Sequence, residues 1–182
     1  IETCSIQGPS NIVPIITVTN VKCNGGSTGS IDLFVSGGNG PYTYVWNDPL
    51  AQTTNPAIGL SAGTYICTIR DINLCEIPTG NIVVTEPSQI AITTSTDSVD
   101  CFGGSNGIAT VIVTPTTGTT PYTYLWSDPL AQTTAIATGL VAGSYTCTIK
   151  DNNQCLLTSS SILVNEPDPI NILFTPTPVS CV

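Results

Sequence analysis

The stretch PYTYVWNDPLAQTT at residues 41–54 returns as PYTYLWSDPLAQTT at 121–134, with only Val45/Leu125 and Asn47/Ser127 changed. An internal period of this kind constrains the fold more than any other feature, because each copy is then one structural unit in a repeat architecture. The match extends outward from that stretch. VKCNGGSTGS (21–30) corresponds to VDCFGGSNGI (99–108), GLSAGTYICTIRDINLC (59–75) to GLVAGSYTCTIKDNNQC (139–155), and NIVVTEP (81–87) to SILVNEP (161–167). Cys23 and Cys101 lie 78 positions apart, Pro41 and Pro121 lie 80 apart. Two residues are therefore inserted near TPTTGTTP, where a loop of Thr, Gly and Pro tolerates extra length.

Both ends of the chain continue the pattern. VSCV at 179–182 reads as the head of a third copy, and CSIQGPSNIV at 4–13 resembles CEIPTGNIVV at 75–84, the tail of a copy. The expected organisation is a closing strand of a preceding repeat at 1–11, repeat domains at 12–87 and 88–167, and an opening strand of a following repeat at 168–182. Such a chain is either an excerpt of a tandem array or a subunit with strands available for addition to a neighbour.

Composition excludes several classes of function. Three basic residues stand against twelve acidic ones, too few cations to displace counterions from nucleic acid or to hold an anionic membrane surface. No apolar run approaches the roughly 18–20 residues of a membrane-spanning helix. The apolar fraction of 41% suffices for small cores, while charged residues make up only 8%, far below the usual quarter. Eight cysteines with no histidine and no methionine favour an oxidising, extracellular setting.

The hydrophobic pattern has period two. Ile31, Leu33 and Val35 alternate with Ser30, Asp32 and Phe34; Tyr42, Tyr44 and Trp46 share a face; so do Tyr65, Cys67 and Ile69. Gly, Asn, Asp and Pro clusters cut the chain every eight to twelve residues. This predicts an all-β chain of tandem immunoglobulin-like antiparallel β-sandwiches of about eighty residues each. Trp46 and Trp126 fall on the third strand of each copy, as core aromatics between two sheets. Tyr65 and Tyr145 precede a cysteine by two residues, the tyrosine-corner pattern, in which the phenol bonds back to the preceding corner. The competing use of these aromatics, and of Tyr42, Tyr44, Phe34 or Phe102, is a sugar-binding platform. The NDPL and SDPL segments are tight turns, with Pro49 and Pro129 fixing φ.

The combination C-x-G-G-S-x-G, then P-Y-T-Y-x-W, then G-x-Y, then D-x-x-x-C covers both copies and resembles the SprB repeat family. Those repeats occur in tandem in very large cell-surface and adhesion proteins of Bacteroidota, gliding-motility adhesins included. The resemblance implies an extracellular structural or adhesive module and no catalytic residues. It also implies two cysteines per repeat, paired as Cys23 with Cys75 and Cys101 with Cys155. This chain departs from that pattern by adding Cys67 and Cys147, and three per repeat cannot all pair within a repeat.

Sandwich geometry offers other partners: Cys23 with Cys67, Cys23 with Cys155 of the next repeat, or Cys67 with Cys75 across a hairpin. Cys4 and Cys181 complete the disulfide candidates. A bond between repeats would staple the array. Zinc is disfavoured, since the nearest cysteines, Cys67 and Cys75, have seven residues between them and no histidine is present. A nucleophilic thiol would lack a histidine base, so no enzyme is expected.

Carboxylates recur at Asp48/Asp128, Asp71/Asp151 and Glu86/Glu166, in positions that suit turn chemistry; calcium at the repeat junctions is the one cofactor they leave open. The DSV sequence at 97–99 makes Ser98 a candidate for O-glycosylation by its resemblance to the Bacteroidota D-[ST]-apolar site. The function expected is the stalk or filament of a bacterial cell-surface appendage. Its partners would be neighbouring repeats or subunits, with surface glycans as adhesion ligands. The alternative is an accessory carbohydrate-binding module of a secreted protein.

Overall fold

A computed structural model describes residues 11–174. Among these residues there is no helix, and the strands pair antiparallel throughout. The chain divides into two compact units. The first gathers the described residues up to Gln89 together with Thr116–Thr119 and Asn153–Cys155; the second holds Ile90–Pro115, Thr120–Asn152 and the described residues from Leu156 onward. The junction falls two residues beyond the expected boundary at 87/88. Two short loop segments of the second sequence copy belong with the first unit.

Unit 1 contains β1 (Val13–Thr19), β2 (Gly29–Ser36), β3 (Thr43–Trp46), β4 (Ala57–Leu60), β5 (Gly63–Tyr65), β6 (Cys67–Arg70), β7 (Glu76–Pro78) and β8 (Ile82–Val84). One sheet has the order β1-β2-β4, another β3-β6-β7, and β5 pairs with β8. With β5 and β6 taken as two halves of one strand, and β7 and β8 as two halves of the next, this arrangement is consistent with an immunoglobulin-type sandwich. Unit 2 repeats it with β9 (Ile92–Asp97), β10 (Gly107–Val113), β11 (Thr123–Trp126), β12 (Ile136–Leu140), β13 (Gly143–Tyr145), β14 (Cys147–Lys150), β15 (Leu156–Thr158) and β16 (Ile162–Val164).

The alternation read from the sequence becomes the core. Ile31 and Leu33 of β2, Trp46 of β3, Ala57 and Leu60 of β4, Tyr65, Cys67, Ile69, Ile82 and Val84 form one buried cluster drawn from both sheets. Phe34, on the opposite face of β2, is 70% exposed, as strand periodicity requires. Trp46 and Trp126 are each 2% exposed, and each indole N–H donates 2.9 Å to a carbonyl, Thr54 O or Thr134 O. Tyr65 Oη donates to Ser61 O and Tyr145 Oη to Val141 O, both at 2.9 Å, which is tyrosine-corner geometry.

The interruption between β5 and β6 has a side-chain cause. At the break, Ile66 N–H donates to Asn47 Oδ1 at 2.8 Å while Asn47 N–H donates to Ile66 O at 3.1 Å. In unit 2 Thr146 N–H donates to Ser127 Oγ and Ser127 N–H to Thr146 O, both at 2.9 Å. Thr79 and Ser159 treat the other side in the same way, their hydroxyls accepting from Cys67 N–H and Cys147 N–H at 3.0 Å. A strand that changes partner leaves backbone groups that must be satisfied, and these four side chains satisfy them. Asn47 and Ser127, one of the two differences in the repeated stretch, thus do the same work.

Gly29 and Gly107 open β2 and β10 because nothing larger fits. A Cβ at Gly29 would lie 2.7 Å from Leu60 O and 2.8 Å from Val84 Cγ1; at Gly107 it would lie 2.6 Å from Val164 Cγ1 and 2.9 Å from Leu140 O. The expected closing strand at 1–11 lies almost wholly outside the described residues. Of the expected opening strand at 168–182, residues 168–174 form no strand and are exposed, and the rest lies outside the described residues.

Candidate functional site

The chemistry-bearing residues that repeat at matched positions are the cysteines, and two local scaffolds present them. The first is the Cys-x-Gly-Gly turn between the first two strands of each copy. Gly26 N–H donates to Cys23 O at 3.0 Å, and Gly104 N–H to Cys101 O at 2.9 Å. Gly25 and Gly103 take φ of +70° and +71°, a left-handed conformation in which glycine escapes the Cβ penalty. Each turn is held from outside by the glutamate of the TEP or NEP segment. Gly25 N–H donates to Glu86 Oε2 at 2.6 Å and Gly103 N–H to Glu166 Oε2 at 2.7 Å. Asn24 Nδ2 adds donations of 3.1 Å to Glu86 Oε1 and to Pro87 O.

The second scaffold is the Asp-x-x-x-Cys loop joining β6 to β7 and β14 to β15. In the first copy Asp71 is 3% exposed, and its carboxylate accepts from Asn39, Asn73 and Cys75 N–H at 2.9–3.1 Å. The bond from Asn39 N–H is the largest influence and holds the Asp71 carboxyl below its ordinary pKa; the bonds from Cys75 and Asn73 act the same way against desolvation. Leu74 and Gln154, each just before the loop cysteine, have φ of +66° and +69°. Side chains with a Cβ seldom adopt that conformation, so the loop has one shape in both copies.

Cys23 is bonded to Cys155, with a Cα–Cα distance of 5.5 Å and a sequence separation of 132. The turn of the first copy is thereby joined covalently to the loop of the second, and both partners lie within unit 1. Asn153 fixes the same loop, its Nδ2 donating to Thr119 Oγ1 at 3.1 Å and reaching Lys22 O at 3.5 Å.

This corrects the pairing implied by the family pattern. Cys75 belongs to the far end of the sandwich from Cys23: its loop is tied to Asn39, past the Ser36 end of β2, by Asn39 N–H to Asp71 and by Ile72 N–H to Asn39 O at 3.0 Å. The Cys23 turn lies at the Gly29 end. An eight-residue strand spans roughly 23 Å, whereas a disulfide needs Cα atoms within about 7 Å. Cys101 with Cys155 fails with it, since Cys155 is already bonded; Cys75 and Cys101 carry exposed free thiols.

Cys67 and Cys147 do not take part in bonding. Both are fully buried in the cores, opposite Trp46 and Trp126 across the sheet. Burial pushes the Cys67 thiol up to about 11 and raises that of Cys147, so neither is a ready thiolate. The pairings of Cys67 with Cys23 or Cys75 are therefore also not formed. Cys4 and Cys181 lie outside the described residues.

The other candidates divide clearly. Tyr42 and Tyr44 are half-buried against the core, and Tyr42 Oη donates to Gly37 O at 2.5 Å. Phe34 and Phe102 are exposed but stand at inequivalent positions, where the other copy has Ile112 and Asn24. The two exposed phenylalanines are therefore not a repeated feature. Asp48 and Asp128 are buried turn carboxylates, accepting from Leu50/Leu130 N–H, from Gln52/Gln132 N–H and from the glutamine side chain at 2.8–3.1 Å. Burial pushes their pKa values up, but these donors outweigh it and hold both below the ordinary carboxylate value.

For the calcium expectation, no group of three or more Asp, Glu, Cys or His side chains suited to a metal occurs among the described residues; Glu86 and Glu166 are engaged with the cysteine turns. Ser98 is exposed just after β9, beside buried Val99.

The SprB repeat model matches residues 15–51 and 93–131, the segments from the first strand of each copy through the Cys-x-Gly-Gly turn to the aromatic strand and its turn. Two regions of the chain are thus similar to the SprB repeat. SprB repeats are associated with cell-surface proteins of the gliding and adhesin type, and a disulfide is consistent with an extracellular location. Among the described residues no helix is long and apolar enough to cross a membrane. No curated protein matches the chain. The loops around Cys75 and Cys155 lie outside both matched segments. The reading that pointed the right way was sandwich geometry, which offered Cys23 with Cys155 of the next repeat; the third cysteine of each copy stays a buried free thiol.

Proposed function

We propose that the chain is a structural and adhesive segment of an extracellular bacterial appendage, a stalk or filament whose modules are linked by disulfides, without catalytic activity of its own. The observation that carries this reading is the Cys23–Cys155 bond, which joins the turn of one SprB repeat to the loop of the next in sequence. A bond within each repeat would strengthen a module and nothing more. One that encloses residues 24–154 in a covalent ring prevents the two copies from being pulled apart along the chain. Under tension the S–S bond carries the load past β2–β14, which lie within the ring. The partners are further repeats or subunits of the same kind, with surface glycans as the adhesion ligand.

Electron microscopy of material sheared from cells, labelled with antibody to this chain, tests the reading. Label along extended filaments or stalks is the expected result. Label confined to compact isolated particles that bind a glycan array would overturn it in favour of a carbohydrate-binding module.

A further inference from the structure

We propose that Cys101 of one copy of this chain bonds to Cys75 of a second copy, repeating the Cys23–Cys155 linkage head to tail; this rests on the appendage reading above. The bonded and unbonded halves have the same local structure. The turn at Cys101 reproduces the Gly104-to-Cys101 and Gly103-to-Glu166 hydrogen bonds of its bonded counterpart. The loop at Cys75 reproduces the left-handed residue before the cysteine. Each unbonded thiol is exposed, whereas Cys23 and Cys155 are only partly so.

The seat beside Cys101 is open. Asp100, Cys101, Phe102 and Pro167–Ile170 line a groove of about 530 Å³, room enough for a loop side chain. The residues nearest the bond supply complementarity. Beside the closed bond stand Asn24 and Gln154, which are polar. Beside the open thiols stand Phe102, 58% exposed, and Leu74, 71% exposed. Seating the Leu74–Cys75 loop of a second copy on the Phe102–Cys101 turn covers both. A turn-to-loop contact is heterologous, and such contacts propagate into open chains when they do not close a ring.

The step is a thiol–disulfide exchange with a small or protein disulfide as oxidant. The Cys101 thiolate attacks one sulfur of that disulfide and displaces its other half as a thiolate. The Cys75 thiolate of the second copy then attacks the Cys101 sulfur and displaces the remaining half. Two protein thiols are oxidised, one disulfide is reduced to two thiols, and the two protons pass to the leaving thiolates.

The test uses the full chain, reduced and then reoxidised at high concentration with glutathione disulfide, as an equal mixture of ¹⁴N and ¹⁵N material. Non-reducing gels should show a ladder. Peptide mapping should show Cys101–Cys75 pairs, half of them of mixed isotope, alongside Cys23–Cys155 as the internal sign that the modules folded. Cys101→Ser or Cys75→Ser alone should abolish Cys101–Cys75 pairing, and mixing the two variants should restore it as one dimer without longer forms. Cys101 left free, paired with another Cys101, or paired with Cys75 without isotope mixing overturns the proposal. If that happens while labelled filaments persist on cells, the appendage reading stands and only the linkage fails.

Discussion

The two Cys-x-Gly-Gly turns, Cys23 to Gly26 and Cys101 to Gly104, differ in covalent state and in the residue after the cysteine, Asn24 with its bonds to Glu86 and Pro87 against Phe102. Each has the same internal hydrogen bond, the same left-handed glycine and the same glutamate clamp, yet one carries a disulfide and the other a free thiol. The bond is therefore not what shapes the turn. Hydrogen bonds and glycine conformation build the turn, and the turn then holds its cysteine ready. The disulfide joins a turn and a loop that hydrogen bonds shape in its absence as well. If so, lesions in the core should cost the two copies alike, whereas lesions at the cysteines should cost them very differently.

The largest expected effect is in the core. Trp46→Ala and Trp126→Ala each remove a side chain that is 2% exposed, with a cost of about 3–5 kcal/mol typical for such a truncation. Hydrogen exchange of the β3–β6 and β11–β14 amides should show each variant unfolding its own copy, by similar amounts. A large inequality would mean that one copy borrows stability that the other lacks.

At the cysteines the comparison turns asymmetric. Cys155→Ser removes a bond closing a loop of more than a hundred residues, which should lower stability by about 2–5 kcal/mol. Cys101→Ser removes an exposed thiol and should stay within about 0.5 kcal/mol. Urea denaturation of the two variants under non-reducing conditions checks both. Equal losses would show that Cys101 is engaged within the monomer and would break the comparison.

Acid should weaken both copies together. Asp48 and Asp128 have pKa values held below the ordinary carboxylate value by their turn donors, so the folded state favours the ionised form. Their contribution is fully present above the unfolded-state pKa and is lost as pH falls through the folded one. Melting temperature should accordingly hold level above about pH 5 and fall below about pH 4. Asp48→Asn should reduce that fall in the first copy alone, where Asp71 keeps a share of it, and Asp128→Asn should reduce it in the second alone, as copy-resolved melting by NMR would show.

Much of this was legible in the sequence, and the part that was not has a physical reason. The period-two pattern placed Ile31, Leu33, Trp46, Tyr65, Cys67 and Ile69 in the core, because a strand's two faces follow from residue parity alone. The tyrosine corner was legible because its bond is local, from Tyr65 to Ser61. The disulfide was not, because both Cys23–Cys75 and Cys23–Cys155 satisfy cysteine counting. The choice depends on which end of β2 the Asp71 loop occupies, a long-range fact set by the Asn39 hydrogen bonds. Nor was the partner switch at Ile66 visible: Asn47 reads as a turn initiator in NDPL, and only the fold shows its side chain serving a strand two elements later.

That switch supplies the smallest and most discriminating expectation. Asn47 Oδ1 and Ser127 Oγ accept from the same backbone position in the two copies, at 2.8 and 2.9 Å. The side chains differ in length, so if the bond rather than the packing matters, the two should be exchangeable. Asn47→Ser and Ser127→Asn should each change stability by less than about 0.5 kcal/mol, while Asn47→Ala and Ser127→Ala should each cost about 1 kcal/mol, rising toward 3 if the Ile66 or Thr146 N–H is left without water. Denaturation midpoints of the four variants decide between the two. A costly exchange alongside a cheap alanine would mean that side-chain volume governs the site, and that the two copies of the repeated stretch are each fitted to their own surroundings.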